Sequence, residues 1–468
     1  MSGTRGLESF RLGYVTGAAS GVGLLYWTSI VVMQFGGLSL PVGLGVMFLL
    51  CLAVALFPAV FGWCTARLLR AFGAGGLMLA PAVWVATEML RAYTMFRFPW
   101  CLLGYSQYTQ LPMAQVASVT GVYGVSFLVA MSSALLAYAY LVRQDAGGAH
   151  RRALGGLAAM LAVVWAHGTW TMSRALPESG RVRAGLVQAS ILQDDKWDAA
   201  KAVENIERHM VLSRAAAAEG ATLIVWPESA VPFPIDRFPE TAQQMRGIAR
   251  ETGAAVVFGN DDLERTADGT RIWVGAKMIH PQAGLVYRYH KNRLVPFGEY
   301  VPMQWLLSLG GRATLRLVSA VADFTPGTEA SVGTFAGHTL GTSICYEAIF
   351  ADYIRHFSVN GAELLLNITN DGWYGTTSAP PQHFAMAVFR AIENRKWMLR
   401  AANTGITAFI DPRGRVVSRT QLFETRALVG EAAFVPGLTL YARYGDVFGW
   451  ACVAASVLAV LRAYRQKS

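Results

Sequence analysis

No Asp, Glu, Lys or Arg stands between Arg11 and Arg67. A soluble fold needs charge over its surface, and so long an uncharged stretch denies it that. A bilayer crossing, by contrast, needs about 20 consecutive apolar residues. The run predicts two transmembrane helices, at 13–34 and 39–61, separated near Gly36-Gly37 and Pro41. Three more spans are predicted at 74–95, 116–141 and 153–173, and a sixth at 444–463. Only 15% of the 468 residues are charged, against about 25% in ordinary soluble proteins. These patterns exclude a wholly soluble enzyme, a disordered chain and a disulfide-framed secreted module.

The formal net charge is +10, and its location matters more than its size. Residues 1–174 hold ten Arg, no Lys and the three acids Glu8, Glu88 and Asp145. Residues 441–468 hold Arg443, Arg462, Arg465 and Lys467 against Asp446. The bases and acids of residues 175–440 cancel. A nucleic-acid reader carries its basic patch within its folded domain, so no nucleic-acid partner is expected. The bases fall instead in alternate segments between spans: Arg5 and Arg11, then Arg67 and Arg70, then Arg143, Arg151 and Arg152, then the C-terminal tail. The positive-inside rule puts those segments, and both termini, on the cytoplasmic side. Residues 175–440 are then extracytoplasmic.

In this middle segment the periodicity changes. Short β-branched or apolar runs at 182–188, 221–226, 255–259, 273–279, 340–344, 364–369 and 406–410 read as strands. Stretches at 199–218, 241–252 and 384–402 read as helices. The alternation predicts a layered α/β domain. The 384–402 stretch, with Arg390, Glu393 and Arg395, reads as a solvated helix, and Trp373 and His383 as structural residues.

Four of the five cysteines, Cys51, Cys64, Cys101 and Cys452, lie in or beside the spans, so Cys345 is alone in the middle segment. A lone Cys is commonly a small core residue. Cys345, however, closes the run Thr342-Ser343-Ile344, and a strand end is where a side chain reaches a cleft. A cysteine nucleophile needs a lowered pKa or an adjacent base. None of His290, His356 and His383 has a setting that suits this role. Glu228 directly follows an apolar run, where a partly buried carboxylate serves as a general base. Lys291 and Glu299 flank a Pro296-Phe297-Gly298 turn, and an ammonium there would stabilise both a thiolate and an oxyanion.

Glu228, Lys291 and Cys345, in that chain order, resemble the triad of the carbon–nitrogen hydrolase, or nitrilase, superfamily. The flanks narrow the resemblance. They are Trp226-Pro227-Glu228-Ser229-Ala230, Leu294-Val295-Pro296-Phe297-Gly298-Glu299-Tyr300-Val301-Pro302, Ile344-Cys345-Tyr346-Glu347 and Asn370-Asp371-Gly372-Trp373-Tyr374-Gly375. Phe98-Pro99-Trp100, Gly104-Tyr105-Ser106-Gln107, Val187-Gln188 and Lys196-Trp197-Asp198 add to them. Together they resemble the apolipoprotein N-acyltransferase family over nearly the whole chain.

The resemblance implies an α-helical transmembrane bundle (1–174 and 441–468) joined to an α/β domain (175–440), a nitrilase-like αββα sandwich. It implies a multi-pass protein of the bacterial inner membrane with a periplasmic catalytic domain. It implies ping-pong transfer of an acyl chain from a membrane phospholipid, of the phosphatidylethanolamine class, through a Cys345 thioester. The acceptor would be the α-amino group of a diacylglyceryl-cysteine apolipoprotein, with no metal or diffusible cofactor. Glu299, Tyr346, Glu347 and Trp197 match supporting or substrate-binding positions. The bland alternatives are a Glu299–Arg293 ion pair and a Trp197 that only anchors at the interface. The family usually shows eight transmembrane helices and this chain six, and losing two together preserves the predicted orientation. A membrane-tethered amidohydrolase using the same triad is the competing enzyme reading. A transporter would need paired ionisable residues inside the spans, which are nearly bare of charge.

Overall fold

Glycines set the packing of the first two long helices. Gly13, Gly17 and Gly21 recur every fourth residue on the Gly6–Leu25 helix and face Pro58, Ala55 and Cys51 of the Leu40–Phe72 helix. A Cβ on Gly13 would stand 2.4 Å from the Pro58 carbonyl oxygen. Small residues at this spacing let two backbones approach closely, which is how helices associate where no hydrophobic force separates them from lipid.

The computed structural model describes residues 6–94, 97–266, 269–301 and 323–466. Arg5, Pro302 and Lys467, used in the sequence reading, lie outside these. The chain divides into two units. The first holds the residues up to Ala175, Thr376–Asn394 and those from Thr439 onward, and the second holds Leu176–Gly375 and Arg395–Leu438.

In the first unit, four helical stretches among the described residues are long and apolar enough to cross a membrane: Leu40–Tyr93, Val122–Leu141, Ala149–Ser173 and Val447–Arg465. The pair Gly6–Leu25 and Trp27–Gln34, bent by 53°, makes a fifth if counted as one span. The sequence reading divided Leu40–Tyr93 into two spans. There the Leu40–Phe72 helix is followed by a 3-10 turn at Gly73–Leu79 and a 14-residue helix, Ala80–Tyr93. Large apolar side chains such as Leu49, Val163 and Leu458 are exposed on these helices, as expected of surfaces that meet lipid.

The expectation of a solvated helix at 384–402 is corrected. The helix is Ala379–Asn394, and Trp397–Ala402 is a strand. Arg390 and Glu393 are fully buried and paired at 3.0 Å. Arg390 also donates to the Tyr105 hydroxyl at 2.9 Å, and Glu393 Oε1 accepts from the Val122 N–H at 3.1 Å. Gln382 Oε1 accepts from the indoles of Trp100 at 2.8 Å and Trp27 at 3.2 Å. Spacing alone does not separate a charge pair on a solvated face from a pair that neutralises itself in the interior. His383 is buried and stacks on Trp100, as a structural residue should.

The second unit is a two-sheet sandwich. Its strands are β1 (Gly180–Gln188), β2 (Leu223–Val225), β3 (Ala255–Gly259), β4 (Asp262–Thr266), β5 (Gly269–Trp273), β6 (Gly275–His280) and β7 (Gly284–His290). They continue as β8 (Val332–Phe335), β9 (His338–Ile344), β10 (Leu364–Thr369), β11 (Trp397–Ala402), β12 (Ala408–Ile410), β13 (Val416–Arg419) and β14 (Arg426–Phe434). One sheet runs β14-β1-β2-β3-β6-β7, the other β13-β12-β11-β10-β9-β8, and β4-β5 is a separate hairpin. The helices Ala202–Ala218 and Pro239–Thr252 pack on the first sheet and Ala351–Val359 on the second. The arrangement is a nitrilase-like αββα sandwich. It explains why β3 and β10 read as continuous apolar runs: every residue of each is buried, because both faces of each sheet are covered. Behind β2 and β3, Ile206, Met210, Ile224, Trp226, Ile248, Val256 and Phe258 form one core. Each such side chain contributes roughly 1.5–3 kcal/mol by leaving water, and this makes a rigid platform for the strand ends.

Candidate active site

Four strands deliver the site. β2, β7, β9 and β10 end near one another, and each is followed within a few residues by Glu228, Lys291, Cys345 and Asn370 respectively. Cys345 is the first residue of a 3-10 turn, Cys345–Ile349, and has φ +48°. Ser229, next to Glu228, has φ +45°. Left-handed backbone at non-glycine residues is uncommon and concentrates at functional sites. Here it turns each chain sharply off its strand.

Lys291 is fully buried, and its Nζ donates to Glu228 Oε1 at 3.0 Å and to Glu299 Oε1 at 2.5 Å. Burial pulls its pKa down, but the Glu228 and Glu299 carboxylates outweigh this and hold it well above the ordinary lysine value. Lys291 is therefore a permanent ammonium. The second oxygen of Glu228 accepts the Asn370 N–H at 2.9 Å. Glu299 Oε2 closes its own turn by accepting the Val295 N–H at 2.9 Å. Burial raises the Glu299 carboxyl against the pull of Lys291. The alternative of a Glu299–Arg293 pair is not what forms, since Arg293 pairs with Asp352 at 3.6 Å.

Cys345 is buried. Burial, then the Glu228 carboxylate, raises its thiol well above the ordinary cysteine value, while Lys291 opposes them. It therefore rests as a thiol and needs a base to become a nucleophile. Glu347 is fully buried and gathers four donors. Its Oε1 accepts from the Tyr289 hydroxyl at 2.6 Å, the Asn292 N–H at 2.6 Å and the Arg293 N–H at 3.1 Å, and its Oε2 from the Ile344 N–H at 2.8 Å. One carboxylate thus ties the segment after Lys291 to the residue before Cys345. Tyr346 is buried with its ring edge-on to Phe350. Trp197 is 48% exposed and stands apart from this hydrogen-bonded cluster.

Sequence reasoning gave no site role to Lys196 and Asn370, which it quoted only within motifs, to Gly259, which it placed only at a strand end, or to Asp261. Lys196 is buried and donates to the Glu228 carbonyl oxygen at 2.6 Å. Asp261 is buried and receives the Ser229 hydroxyl at 3.4 Å. A Cβ on Gly259 would lie 2.3 Å from the Ser229 nitrogen and 2.7 Å from Glu228 Cα. The end of β3 is pressed against the backbone of the base, and only glycine fits. For Gly259 the visible signal was a Gly at the end of an apolar run, and for Lys196 and Asn370 their place in the quoted motifs.

Residues 183–434 match the carbon-nitrogen hydrolase family, and residues 2–135 match the apolipoprotein N-acyltransferase N-terminal domain. The apolipoprotein N-acyltransferase of Geobacter metallireducens is 40% identical over 467 residues, 98% of this chain and 88% of that one. The chain belongs to the apolipoprotein N-acyltransferase family. A second relative of that name, from Methylococcus capsulatus, is 34% identical over 97% of this chain and 88% of its own length. An amidase structure from Nesterenkonia sp. aligns with a TM-score of 0.40 and 19% identity, covering 58% of this chain and 96% of that one. With its apolar helices, membership of this family makes the chain a membrane protein.

Proposed function

We propose that the chain carries an acyl group from a membrane phospholipid to the α-amino group of a diacylglyceryl-cysteine at the N-terminus of an apolipoprotein. The chain is an acyltransferase, and Glu228, Lys291 and Cys345 are its catalytic residues. The observation that carries the reading is the buried Lys291 ammonium shared by Glu228 and Glu299 beside a cysteine that rests protonated.

Glu228 takes the proton from Cys345, and the thiolate attacks the ester carbonyl of the phospholipid. The oxyanion is held by the Lys291 ammonium and the backbone N–H of Tyr346, in a turn whose leading N–H groups have no partner within the helix. The intermediate collapses, the alkoxide leaving group takes the proton from Glu228, and a lysophospholipid departs. A thioester on Cys345 remains. The acceptor amine then attacks the thioester carbonyl and gives its proton to Glu228. The thiolate leaves and is reprotonated, releasing an amide, the N-acylated lipoprotein. Glu299 and Glu347 hold Lys291 and the two strand ends in place, and the exposed indole of Trp197 meets lipid.

The donor is of the phosphatidylethanolamine class. Residues 1–174 and 441–468 form the membrane part and 175–440 the catalytic domain, on the periplasmic side of a bacterial inner membrane with both termini cytoplasmic. The distribution of Arg and Lys supports this orientation.

The test is intact-protein mass spectrometry after incubation with phospholipid alone. An acyl adduct on the wild type and none on Cys345→Ala is the expected result. A burst of lysophospholipid without an adduct, or turnover that survives blocking of the lipopeptide α-amine, would instead mark the chain as a hydrolase.

A further inference from the structure

The catalytic base has a second lysine behind it. Lys196 ends the short helix Gln193–Lys196, is 4% exposed, and donates to the carbonyl oxygen of Glu228 at 2.6 Å. Among the described residues it has no carboxylate within 4.0 Å. An ammonium buried without an ion pair costs several kcal/mol of desolvation, and an apolar side chain of the same length would avoid that cost. What the charge does supply is a strong, charge-assisted donor to the Glu228 carbonyl oxygen.

The same helix reaches Glu228 by a second route. Gln193 Oε1 accepts from Asn370 Nδ2 at 2.7 Å, and the Asn370 N–H donates to Glu228 Oε2 at 2.9 Å. Gln193, Asn370, Glu228 and Lys196 thus close a ring around the base. On the far side, Gly259 presses on the Glu228–Ser229 peptide. The backbone of the base is clamped between a charged donor and a strand end.

We propose that Lys196 is a positioning residue for acyl transfer, holding the Glu228 backbone in the turn from which its carboxylate takes the Cys345 proton. The inference rests on Glu228 acting as that base. The titratable groups facing Glu228 are Lys291, Lys196, Glu299, Asp261, Cys345 and Tyr374. Those facing Lys196 add His209, which burial pulls down to about 4 and so keeps neutral. Burial draws Lys196 itself down to about 8, against the pull of Glu228, Asp261 and Cys345. It is therefore charged at neutral pH and below, where it serves as a charged donor to the Glu228 carbonyl.

The rate of acyl-adduct formation on Cys345 is followed in dodecyl maltoside micelles containing phosphatidylethanolamine, with unfolding temperature and thiol titration of Cys345 measured alongside. Lys196→Met leaves the Glu228 carbonyl without its charged donor, and the maximal rate is expected to fall about 10²-fold with the apparent KM for phospholipid little changed. Lys196→Gln keeps a neutral donor and is expected to recover part of that loss. A Lys196→Met variant of wild-type rate, or one whose KM rises at unchanged maximal rate, would overturn the inference. If Lys196→Met does not fold, Lys196→Gln decides alone, and a wild-type rate in it overturns the inference. A wild type that forms no adduct overturns the acyl-enzyme reading itself, which distinguishes the two failures.

Discussion

Lys291 donates to Glu228 Oε1 at 3.0 Å from a side chain with no solvent exposure, so the base and the ammonium that would hold the oxyanion are one hydrogen-bonded unit. The same nitrogen neutralises Glu299. Lys291→Met therefore strands two buried carboxylates as well as removing the oxyanion donor. Breaking a buried pair from one side costs about 3–5 kcal/mol, and losing an oxyanion donor costs about 10²–10³ in rate. The expected variant unfolds at lower temperature and acylates at least 10²-fold more slowly. A variant of wild-type rate would remove Lys291 from the mechanism.

Glu347 acts at one remove from the chemistry. Its four donors come from Tyr289, Asn292, Arg293 and Ile344, which flank Lys291 and Cys345 in sequence. Glu347→Gln keeps the shape but turns an amide NH₂ toward one of those donors and removes the charge from all four. Hydrogen bonds to charged groups contribute about 1.5–3 kcal/mol each, and a small misplacement of reacting groups costs about 10²-fold. The expected result is a kcat reduced 10- to 100-fold with KM little changed. A raised KM at unchanged kcat would assign Glu347 to substrate binding instead.

What the sequence made legible follows from strand physics. Buried strands in a two-sheet sandwich are unbroken apolar runs, so 255–259 and 364–369 were readable to the residue, and the polar residues just past the ends of β2 and β9 stood out. Lys196 stood out only as part of the Lys196-Trp197-Asp198 motif, because a Lys between Asp195 and Trp197 in a polar loop looks solvated until the fold buries it. β4, β5, β7, β8, β13 and β14 were missed because they alternate or carry charge, and β14 is a strand only by virtue of its pairing with β1 along its whole length. The burial of Arg390 and Glu393 was hidden for a related reason: Tyr105 and the Val122 N–H, which complete their hydrogen bonding, are remote in sequence.

Gly259 gives a purely steric test of how tightly the base is held. In Gly259→Ala the new Cβ meets the backbone of Glu228 and Ser229, not a flexible side-chain tip, so something in the main chain must shift. The Glu228 carboxylate moves with it. Acylation is expected to fall about 10²-fold while thiol titration still finds Cys345 in a folded protein. An Ala variant with wild-type activity would mean the β3 end yields freely, and the clamp on the base would then be loose.

Asp261 ties the site to pH through stability. Burial, with Glu228 and Glu299 nearby, raises its carboxyl from 3.8 to about 7, against the pull of Lys196. Between those values the folded chain holds a proton that the unfolded chain has lost, so this group's contribution to stability falls as pH rises from about 4 to 7. Asp261→Asn removes this titration. Lys196 contributes with the opposite slope, but only between about 8 and its ordinary value of 10.5, outside the window. Relative to wild type, the unfolding temperature of Asp261→Asn should therefore rise as the buffer is taken from pH 4.5 to 7.5 in detergent. A difference that stays constant over that range would mean Asp261 is ionised throughout, as a solvated carboxylate would be.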